Sequence, residues 1–317
     1  MAGENFQLLF VYGGINVDGI IPLYKERGMT SFACVSRLRQ ILKTRKIGHS
    51  GTLDPGVAGV LPICVGNATK VVDFLMQSGK QYQGELLIGL ATTTQDLDGE
   101  PIATKAVESP ISTAQIQAAM KKLTGNIIQI PPMYSAVKVK GKKLYEYARA
   151  GEMVERPKRQ VTINKFELLS TSYDPTKRQQ RVRFNVECSK GTYIRTLVVE
   201  LAKQLGYPGV MSLLTRLKSG GFTLEQTLSL DDVRDAVASQ TLQQYIYPLD
   251  YALKEYPKVA LTADQWKKVQ NGGWLAKDEL TNAQAEVVLV FDDQVKALYH
   301  FDQAKQVYKP TKMFSVK

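Results

Sequence analysis

The chain has 317 residues, 44% of them hydrophobic, and its 41 Lys+Arg against 30 Asp+Glu give a formal net charge of +11. This apolar content is enough for a sizeable core and excludes a disordered chain, and at ~150 residues per domain the length predicts about two domains. No stretch approaches the ~20 apolar residues of a membrane span, and the amino terminus lacks the basic segment of a signal peptide. We therefore expect a cytoplasmic protein without membrane association.

Hydrophobic periodicity predicts both helices and strands in the amino-terminal half. In chain order it indicates a helix at residues 30–46, a glycine-rich loop entering an apolar stretch at 47–66, a short helix at 68–77, a strand at 81–90 and a helix at 113–123. Thr30 or Ser31 can cap the first helix. Residues 126–160 are basic, contain tyrosines and lack regular apolar spacing, so we expect a mobile loop or hairpin there.

The carboxyl-terminal half continues in the same mixed style. Apolar and polar residues alternate over 182–188, which predicts a half-buried strand, and Thr192 is a candidate cap for a helix that ends at Gly206. We place a boundary near residue 250. Beyond it the sequence predicts a helix at 263–270 and three short strands at 287–291, 295–301 and 307–316, typical of a compact barrel-like β domain. Because strands and helices do not alternate strictly, we predict an α+β fold rather than a doubly wound parallel sheet.

The excess positive charge is distributed along the chain instead of being confined to one tail. Basic clusters lie at residues 37–46, 138–143, 156–159 and 177–183. A balance of +11 favours a polyanionic partner, because neutralising phosphates releases their counterions. The distribution predicts the long charged surface of an RNA-binding enzyme more than a disordered basic arm.

Neither a metal site nor a cofactor motif is evident. The three cysteines are distant from one another and odd in number, which argues against a disulfide framework, and the two histidines lie in no Cys/His cluster. No phosphate-binding loop occurs at residues 48–59. Residues 96–100 resemble part of a calcium loop, but the glycine is fourth instead of sixth, so we interpret them as a polar turn.

The strongest local signal is the run Gly-His-Ser-Gly-Thr-Leu-Asp-Pro at residues 48–55. Asp54 precedes a proline, which favours an extended backbone, and nearby glycines permit tight turns. A carboxylate held on a stiff loop is suited to act as a nucleophile or base, which needs a fixed geometry. An Asp-Pro pair in a loop is also an ordinary turn, so the residues alone leave both interpretations open.

Four long segments resemble the motifs of the bacterial tRNA pseudouridine synthase family TruB. They are KERGMTSFACVSRLRQILKTRKIGHSGTLDPGVAGVLPICVGNATK at 25–70, GLATTTQDLDG at 89–99, IPPMYSAVKVKGKKLYEYARAG at 130–151 and CSKGTYIRTLVVELAKQLG at 188–206. The resemblance extends from about Gly19 to Leu249, and less distinctly to the carboxyl terminus. Glu26 stands where the family has proline and Thr215 where arginine is common, and both lie outside the loop that contains Asp54.

The resemblance implies an isomerase that converts uridine 55 in the T-loop of tRNA to pseudouridine by base flipping, without a cofactor. It implies a pseudouridine synthase fold around a mixed, largely antiparallel central sheet. The catalytic domain would span 18–250, with an RNA-clamping insertion at about 126–160, and a PUA-like RNA-binding domain would span 251–317. Residues 1–17 precede the resemblance and are left as an extension or a misassigned start.

The resemblance also assigns a role to each matching residue. Asp54 matches the nucleophilic aspartate, Arg195 the arginine that pairs with it, and Tyr82 the tyrosine that stacks on the target base. Tyr193 and Leu214 match residues that line the base pocket. The carboxylate would attack C1′ or C6 of the uridine, or help release the base as a glycal, and the sequence does not choose between these paths.

Two further matches concern substrate binding. His49 matches a histidine that contacts the opened T-loop, and Lys25 matches a lysine near the active-site rim. Each match has an ordinary alternative: Tyr82 shares a strand face with core residues, Arg195 could be a surface charge, and His49 could pack beside a loop.

Two expectations concern the pairing of Asp54 and Arg195. The planar guanidinium could hold the carboxylate bidentately. We also expect Arg195 to outweigh partial burial and lower the pKa of Asp54, so that the carboxylate stays ionised at neutral pH.

Three functional interpretations follow. The leading one is a stand-alone enzyme acting on the T-stem-loop of tRNA, a monomer without an obligate protein partner. The first alternative is a tRNA-folding chaperone for which catalysis is dispensable, since the same basic surface would serve it. The second is a synthase directed to another RNA by a guide-dependent partner, but the length and the small carboxyl-terminal domain favour the stand-alone type.

Overall fold

The computed structural model describes residues 17–280 and 284–315. The extension proposed at residues 1–17 lies outside this range except for Val17, which is buried in the core. The helices are α1 (Ser31–Ile41), α2 (Val72–Gln77), α3 (Thr113–Lys122), α4 (Leu144–Arg149), α5 (Ile194–Gln204), α6 (Leu230–Ala238) and α7 (Ala263–Val269). Over the described residues, none of them is long and apolar enough to cross a lipid bilayer.

The strands fall into two main sheets and two small hairpins. Those up to the middle of the chain are β1 (Gly19–Lys25), β2 (Ile47–His49), β3 (Ala58–Val65), β4 (Lys80–Ile88), β5 (Leu90–Thr92), β6 (Pro101–Thr104), β7 (Gly125–Gln129), β8 (Lys138–Val139) and β9 (Lys142–Lys143). The others are β10 (Arg159–Asp174), β11 (Gln179–Cys188), β12 (Gly209–Ser219), β13 (Phe222–Thr223), β14 (Lys258–Ala260), β15 (Leu275–Ala276), β16 (Glu286–Phe291), β17 (Gln294–Asp302) and β18 (Val307–Met313).

The larger sheet has nine strands in the order β1-β3-β12-β4-β11-β10-β7, with β2 paired to β3 and β13 paired to β12. Among the described strands of this sheet, all pairs are antiparallel except β3 with β12, where Thr215 lies opposite Ala58. The mixed, largely antiparallel sheet and the α+β class predicted from the sequence are therefore confirmed. The second sheet has five strands in the order β14-β16-β17-β18-β15 and forms the predicted β-rich carboxyl-terminal region.

The observed helices differ from the predicted ones mainly at their ends. The Thr30 hydroxyl accepts a hydrogen bond from the Ala33 amide at 2.9 Å and caps α1, as predicted. The helix ends at Ile41, five residues earlier than expected, and Lys43 then adopts a left-handed φ of 50°. Tyr193, not Thr192, is the amino-terminal cap residue of α5, because the Thr192 hydroxyl donates to the Ser189 carbonyl instead.

Residues 126–160 leave the sheet at one edge and return to it. They begin in the edge strand β7, form the hairpin β8–β9 and the short helix α4, and rejoin the sheet at the start of β10. Within this excursion, Lys142 forms an ion pair with Glu152 at 2.9 Å and lies over the ring of Tyr147. The excursion therefore has local structure but is attached to the rest of the fold along one sheet edge.

The apolar side chains form three clusters. The largest lies between one face of the nine-stranded sheet and helices α1, α3, α5 and α6. A second cluster lies on the opposite face of β1 and β3, where side chains of the two sheets pack together. Its members include Ile20, Val60, Cys64, Phe222, Leu253, Val288, Leu298 and Phe314. The third lies within the carboxyl-terminal sheet and against α7.

Candidate active site

A cavity of about 840 Å³ opens where the loop before β3 meets the ends of β4, β12 and α5. Five of the predicted site residues line it: Asp54, Tyr82, Tyr193, Arg195 and Leu214. They come from four different parts of the chain, so the fold brings together residues that the motifs only suggested as neighbours.

The loop that contains Asp54 is fixed from below by side chains. The Ser31 hydroxyl donates to the Leu53 carbonyl at 3.2 Å and accepts from the Leu53 amide at 2.9 Å, which attaches the loop to the start of α1. After the loop, a Cβ at Gly59 would lie 2.2 Å from the carbonyl oxygen of Arg216. Only glycine therefore permits this close approach of β3 to β12.

Arg195 is almost completely buried and contacts Asp54 directly. Its Nε lies 3.0 Å from Asp54 Oδ2, while Nη1 donates to the Thr94 carbonyl and Nη2 to the Tyr134 carbonyl, both at 2.8 Å. The predicted pairing is therefore present, but the predicted bidentate geometry is wrong. The physical reason is that Nη1 and Nη2 are oriented toward the two backbone carbonyls, so only Nε is in contact with the carboxylate.

A second carboxylate, missed in the sequence, lies near the same guanidinium. Asp96 Oδ2 is 3.7 Å from Arg195 Nη1, and Asp96 Oδ1 accepts from the Thr94 hydroxyl and, at 3.2 Å, from the Asp98 amide. The segment interpreted as a polar turn is thus a turn that also places a carboxylate beside the site. Asp96 lies within the motif at residues 89–99, but nothing in the motif itself indicates that this carboxylate reaches Arg195.

The pKa of Asp54 is raised, contrary to the expectation from the sequence. Burial is the largest cause, Arg195 opposes it, and Asp96 adds a further rise through like-charge repulsion. Although 43% of the side chain remains accessible, the cavity walls displace much of the water around the carboxylate. Arg195 does not prevail, because burial outweighs its attraction for the carboxylate and Asp96 adds to the effect of burial.

Tyr82 is buried on the floor of the cavity and is held by a residue that the sequence did not single out. Arg216 is 1% exposed, hydrogen-bonds the Tyr82 hydroxyl, and donates to the carbonyls of Val60 at 2.7 Å and Gly51 at 3.2 Å. Burial raises the pKa of Tyr82, so the phenol is neutral at pH 7. Arg216 therefore links the tyrosine ring, β3 and the Asp54 loop.

Tyr193 and Leu214 complete the wall opposite the loop. The Tyr193 amide donates to Gln129 Oε1 at 3.0 Å, and Gln129 Nε2 donates back to the Tyr193 carbonyl at 3.2 Å. This pair ties the start of α5 to the edge strand β7. Leu214 is 6% exposed and presents an apolar surface to the cavity.

Lys25 and His49 do not line the cavity. Lys25, expected at the rim, is completely buried beneath the loop, where its Nζ donates to the carbonyls of Glu26, Met29 and Pro55. His49 is half-buried in β2, and burial together with Arg216 lowers its pKa, so the imidazole is neutral at pH 7. In this structure Lys25 supports the loop and does not face the cavity.

Replacement of Lys25 by methionine tests this supporting role. Methionine fills a similar volume but removes the donor from three partly buried carbonyls, so we expect the free energy of unfolding to fall by about 2–3 kcal/mol. Thermal unfolding measures this loss, and filter binding to an RNA substrate should show little change. Lys121→Met, on the exposed side of α3, is the matched control. A large loss of RNA affinity without a change in stability would instead indicate that Lys25 binds the substrate at the rim of the active site.

The cavity contains the groups needed to attack an electrophilic carbon next to a flat ring. Asp54 supplies a carboxylate, Arg195 orients it, and Tyr82 and Tyr193 supply aromatic surfaces. Within residues 17–280 and 284–315, no group of three or more His, Cys, Asp or Glu side chains is arranged to hold a metal ion.

Comparison with known families gives matches over most of the chain. Residues 39–194 match the family model described as "TruB family pseudouridylate synthase (N terminal domain)". Residues 195–254 match the model described as "tRNA pseudouridylate synthase B C-terminal domain". Asp54, Tyr82 and Tyr193 lie in the first matched region, and Arg195 and Leu214 lie in the second.

Similar proteins have been named in other bacteria. The tRNA pseudouridine synthase B of Limosilactobacillus reuteri (strain DSM 20016) is 80% identical over 300 residues, which cover 95% of this chain and 100% of the relative. The protein of the same name from Levilactobacillus brevis is 55% identical over 302 residues, with the same coverage of both chains.

Solved structures extend the similarity to the fold. A chain in the crystal structure of a Cbf5-Nop10-Gar1 complex is 27% identical, with a TM-score of 0.71, over 94% of this chain and 85% of that one. A chain in the structure of an H/ACA RNP bound to a substrate RNA containing 2′-deoxyuridine is 25% identical, with a TM-score of 0.69 and the same coverage.

Proposed function

The chain belongs to the TruB family of pseudouridylate synthases and is a tRNA pseudouridine synthase, and from this premise we propose that Asp54 carries the reaction on uridine 55 of the tRNA T-loop. The observation that supports the assignment is the contact between Asp54 and the buried Arg195 at 3.0 Å, in a cavity whose floor is Tyr82. A protein that only binds and folds tRNA needs the basic surface but not this ion pair.

The target base must leave its stack to reach Asp54. The volume of about 840 Å³ lies in the range of pockets that hold whole small ligands, so a flipped nucleotide fits. Stacking of the base on an aromatic ring contributes ~1–3 kcal/mol and offsets part of the cost of unstacking. Tyr82 supplies this ring, Tyr193 a second aromatic surface and Leu214 an apolar wall.

The reaction breaks the N1–C1′ bond of the uridine, turns the uracil, and joins C5 to C1′. The proton lost from C5 balances the one gained at N1, so the substrate and product are isomers and no redox partner is required. Asp54 attacks C1′ or C6, or assists release of the base as a glycal, and each path uses the ionised carboxylate. The contact with Arg195 Nε engages Oδ2 and leaves Oδ1 to face the substrate.

The raised pKa of Asp54 predicts an acidic limb in the pH dependence of turnover. Activity falls as the pH decreases through the pKa of Asp54, because the protonated acid cannot attack. Asp96→Asn removes a nearby negative charge that raises this pKa, so we expect the limb to move to lower pH. Single-turnover rates between pH 4 and 8 measure the shift, with the exposed Glu100→Gln as control. A shift of the acidic limb to higher pH would contradict the assignment of this limb to Asp54.

We propose that residues 126–160 clamp the RNA. The segment carries eight cations whose mutual repulsion phosphates would relieve: Lys138, Lys140, Lys142, Lys143, Arg149, Arg156, Lys158 and Arg159. Its Tyr134 carbonyl accepts from Arg195, and Ser135 lines the cavity. Clamping would therefore also steady the guanidinium that orients Asp54.

This clamp predicts a change in hydrogen exchange. Amides of residues 138–156 should exchange more slowly when unmodified tRNA is bound, whereas those of α3, on the helical face of the sheet, should not change. Exchange measured by mass spectrometry, with and without tRNA, gives the comparison. Equal exchange with and without tRNA would indicate that residues 126–160 are not part of the RNA interface.

We further propose that the enzyme acts as a monomer on the T-stem-loop, in the cytoplasm and without an obligate protein or guide RNA, and that residues 251–317 add RNA contacts. Incubation of the purified protein alone with an unmodified tRNA transcript, followed by pseudouridine mapping, tests the proposal. The expected result is one pseudouridine, at position 55. Binding without any pseudouridine would favour the chaperone interpretation, and modification that requires a second RNA or protein would favour the guided type.

A further inference from the structure

Lys80 is a cation that the mechanism above does not use. It is the first residue of β4, lines the cavity, and lies two positions before Tyr82. Its Nζ has only two long contacts, at 3.4 Å, with the carbonyls of Met76 and Ser78. In the part of the chain that the structure describes, no carboxylate forms an ion pair with Lys80.

Lys80 and Arg216 converge on the backbone of the Asp54 loop. Lys80 Cε and Arg216 Nη1 each lie 3.7 Å from the point where a Cβ on Gly51 would stand, and Gly51 has a φ of 98°. Because Gly51 has no side chain, an oxygen-rich group can approach the loop backbone between the side chains of Lys80 and Arg216. A larger residue at position 51 would obstruct this approach.

The charges around Lys80 are predominantly positive. Burial and the neighbouring Arg216 lower the pKa of Lys80 to about 8, and Lys190 acts in the same direction, while the Cys188 thiol acts in the opposite one. The pKa of Cys188 is itself about 11, so the thiol carries no charge at neutral pH. A bound anion would raise the pKa of Lys80 again and favour its ammonium form.

The acidic groups of the cavity are already paired elsewhere. Asp54 is in contact with Arg195, and Asp73 lies 3.5 Å from Lys312. Lys190 and Arg159 add two more cations to the lining. The wall formed by Lys80 therefore has an excess of positive charge that the protein itself does not neutralise.

We propose that Lys80 binds the phosphate on the 5′ side of the flipped uridine, an inference that rests on the proposed function. Two residues along a strand span about 7 Å, so Lys80 lies within reach of the backbone of a nucleotide whose base rests on Tyr82. An ammonium is a compact donor suited to a phosphate oxygen. The contact would hold the ribose while the base detaches and turns.

A double-mutant cycle between protein and RNA tests the contact. Lys80→Met and Lys80→Arg are compared with wild type on two stem-loops, one natural and one with a neutral methylphosphonate on the 5′ side of the target uridine. We expect Lys80→Met to weaken binding of the natural RNA about 10-fold and to reduce its salt dependence by about one phosphate contact. Lys80→Arg should retain most of the affinity, and the neutral linkage should bind both wild type and Lys80→Met equally weakly.

Other outcomes assign Lys80 differently. If Lys80→Met weakens binding of both RNAs by the same factor, Lys80 does not touch this phosphate, and a methylphosphonate on the 3′ side decides whether it touches the next one. Unchanged affinity with loss of an alkaline limb in the rate profile would make Lys80 a proton carrier. Equal unfolding temperatures of the variants exclude a folding defect, and Lys121→Met controls for loss of charge alone. Failure of the wild type to form pseudouridine 55 would refute the proposed function, whatever the cycle gives.

Discussion

Replacement of Asp54 by asparagine is expected to abolish pseudouridine formation while tRNA binding survives. Asparagine has the same size, and its side-chain oxygen can still accept from Arg195 Nε, so the loop and the guanidinium keep their positions. The amide nitrogen cannot attack C1′ or C6 as a carboxylate does. We expect a loss in turnover of about 10⁴-fold or more, as for other enzymes that lose their nucleophile.

The measurement is a single-turnover assay on tRNA with release of tritium from C5, alongside filter binding of the same tRNA. Asp278→Asn is the matched control, because Asp278 is an exposed carboxylate that does not line the cavity. Appreciable turnover by Asp54→Asn, with deamidation and contaminating enzyme excluded, would falsify the nucleophile assignment. It would move the function toward the chaperone interpretation.

Replacement of Arg195 by lysine should have the second largest effect. Lysine keeps the charge, but its single nitrogen cannot occupy the three separate positions from which Nε, Nη1 and Nη2 of Arg195 contact Asp54 and the carbonyls of Thr94 and Tyr134. A misplaced nucleophile costs on the order of 10²-fold in rate. We therefore expect turnover to fall by about this factor, while tRNA affinity changes much less.

Arg234→Lys is the control, because Arg234 lies on the exposed face of α6 and forms only surface ion pairs. The chemical step is isolated by single-turnover kinetics at saturating enzyme. If Arg195→Lys turned over as fast as wild type, a positive charge alone would suffice and the planar geometry would have no role. A parallel loss of affinity and rate would indicate instead that Arg195 holds the RNA.

Asp54, Tyr193 and Arg195 could be predicted because each lies in a long linear motif, whereas Tyr82 and Leu214 lie outside these motifs and were matched only through the resemblance of the whole region. The protonation and burial of the site residues could not be predicted. The pKa of Asp54 depends on its burial, on its contact with Arg195 and on the presence of Asp96, and all three follow from the packing of separate segments. Lysine is among the residues least often buried, so a single sequence gives no sign that Lys25 lies under the loop.

The long strands β10 and β12 were not predicted from the sequence, and their pairing with neighbouring strands shows the physical reason. The register of β10 shifts near Lys165 and again near Ser170, and that of β12 shifts near Leu213 and Lys218. Each such irregularity interrupts the alternation of inward and outward side chains. A periodicity of two therefore fails to detect them, although β12 lies at the centre of the sheet and carries both Leu214 and Arg216.

Strand β1 was missed for a different reason. Pro22 lies in its middle, and proline argues against a central strand because it has no amide proton to donate. In the structure β1 is at the end of the strand order, and Pro22 lies opposite Pro62 of β3. Proline is therefore tolerated in β1, because the rule against proline is strict only for interior strands.

The apolar cluster shared by the two sheets has a consequence for how the protein is made. Ile20 and Val60 belong to the same cluster as Val288, Leu298 and Phe314, which follow them in the sequence by at least 228 residues (288 − 60). During translation, the back of β1 and β3 therefore stays partly uncovered until the residues from Val288 to Phe314 have been made. A nascent chain that stalls before Phe314 carries an open apolar surface, which makes it a target for aggregation or for chaperones.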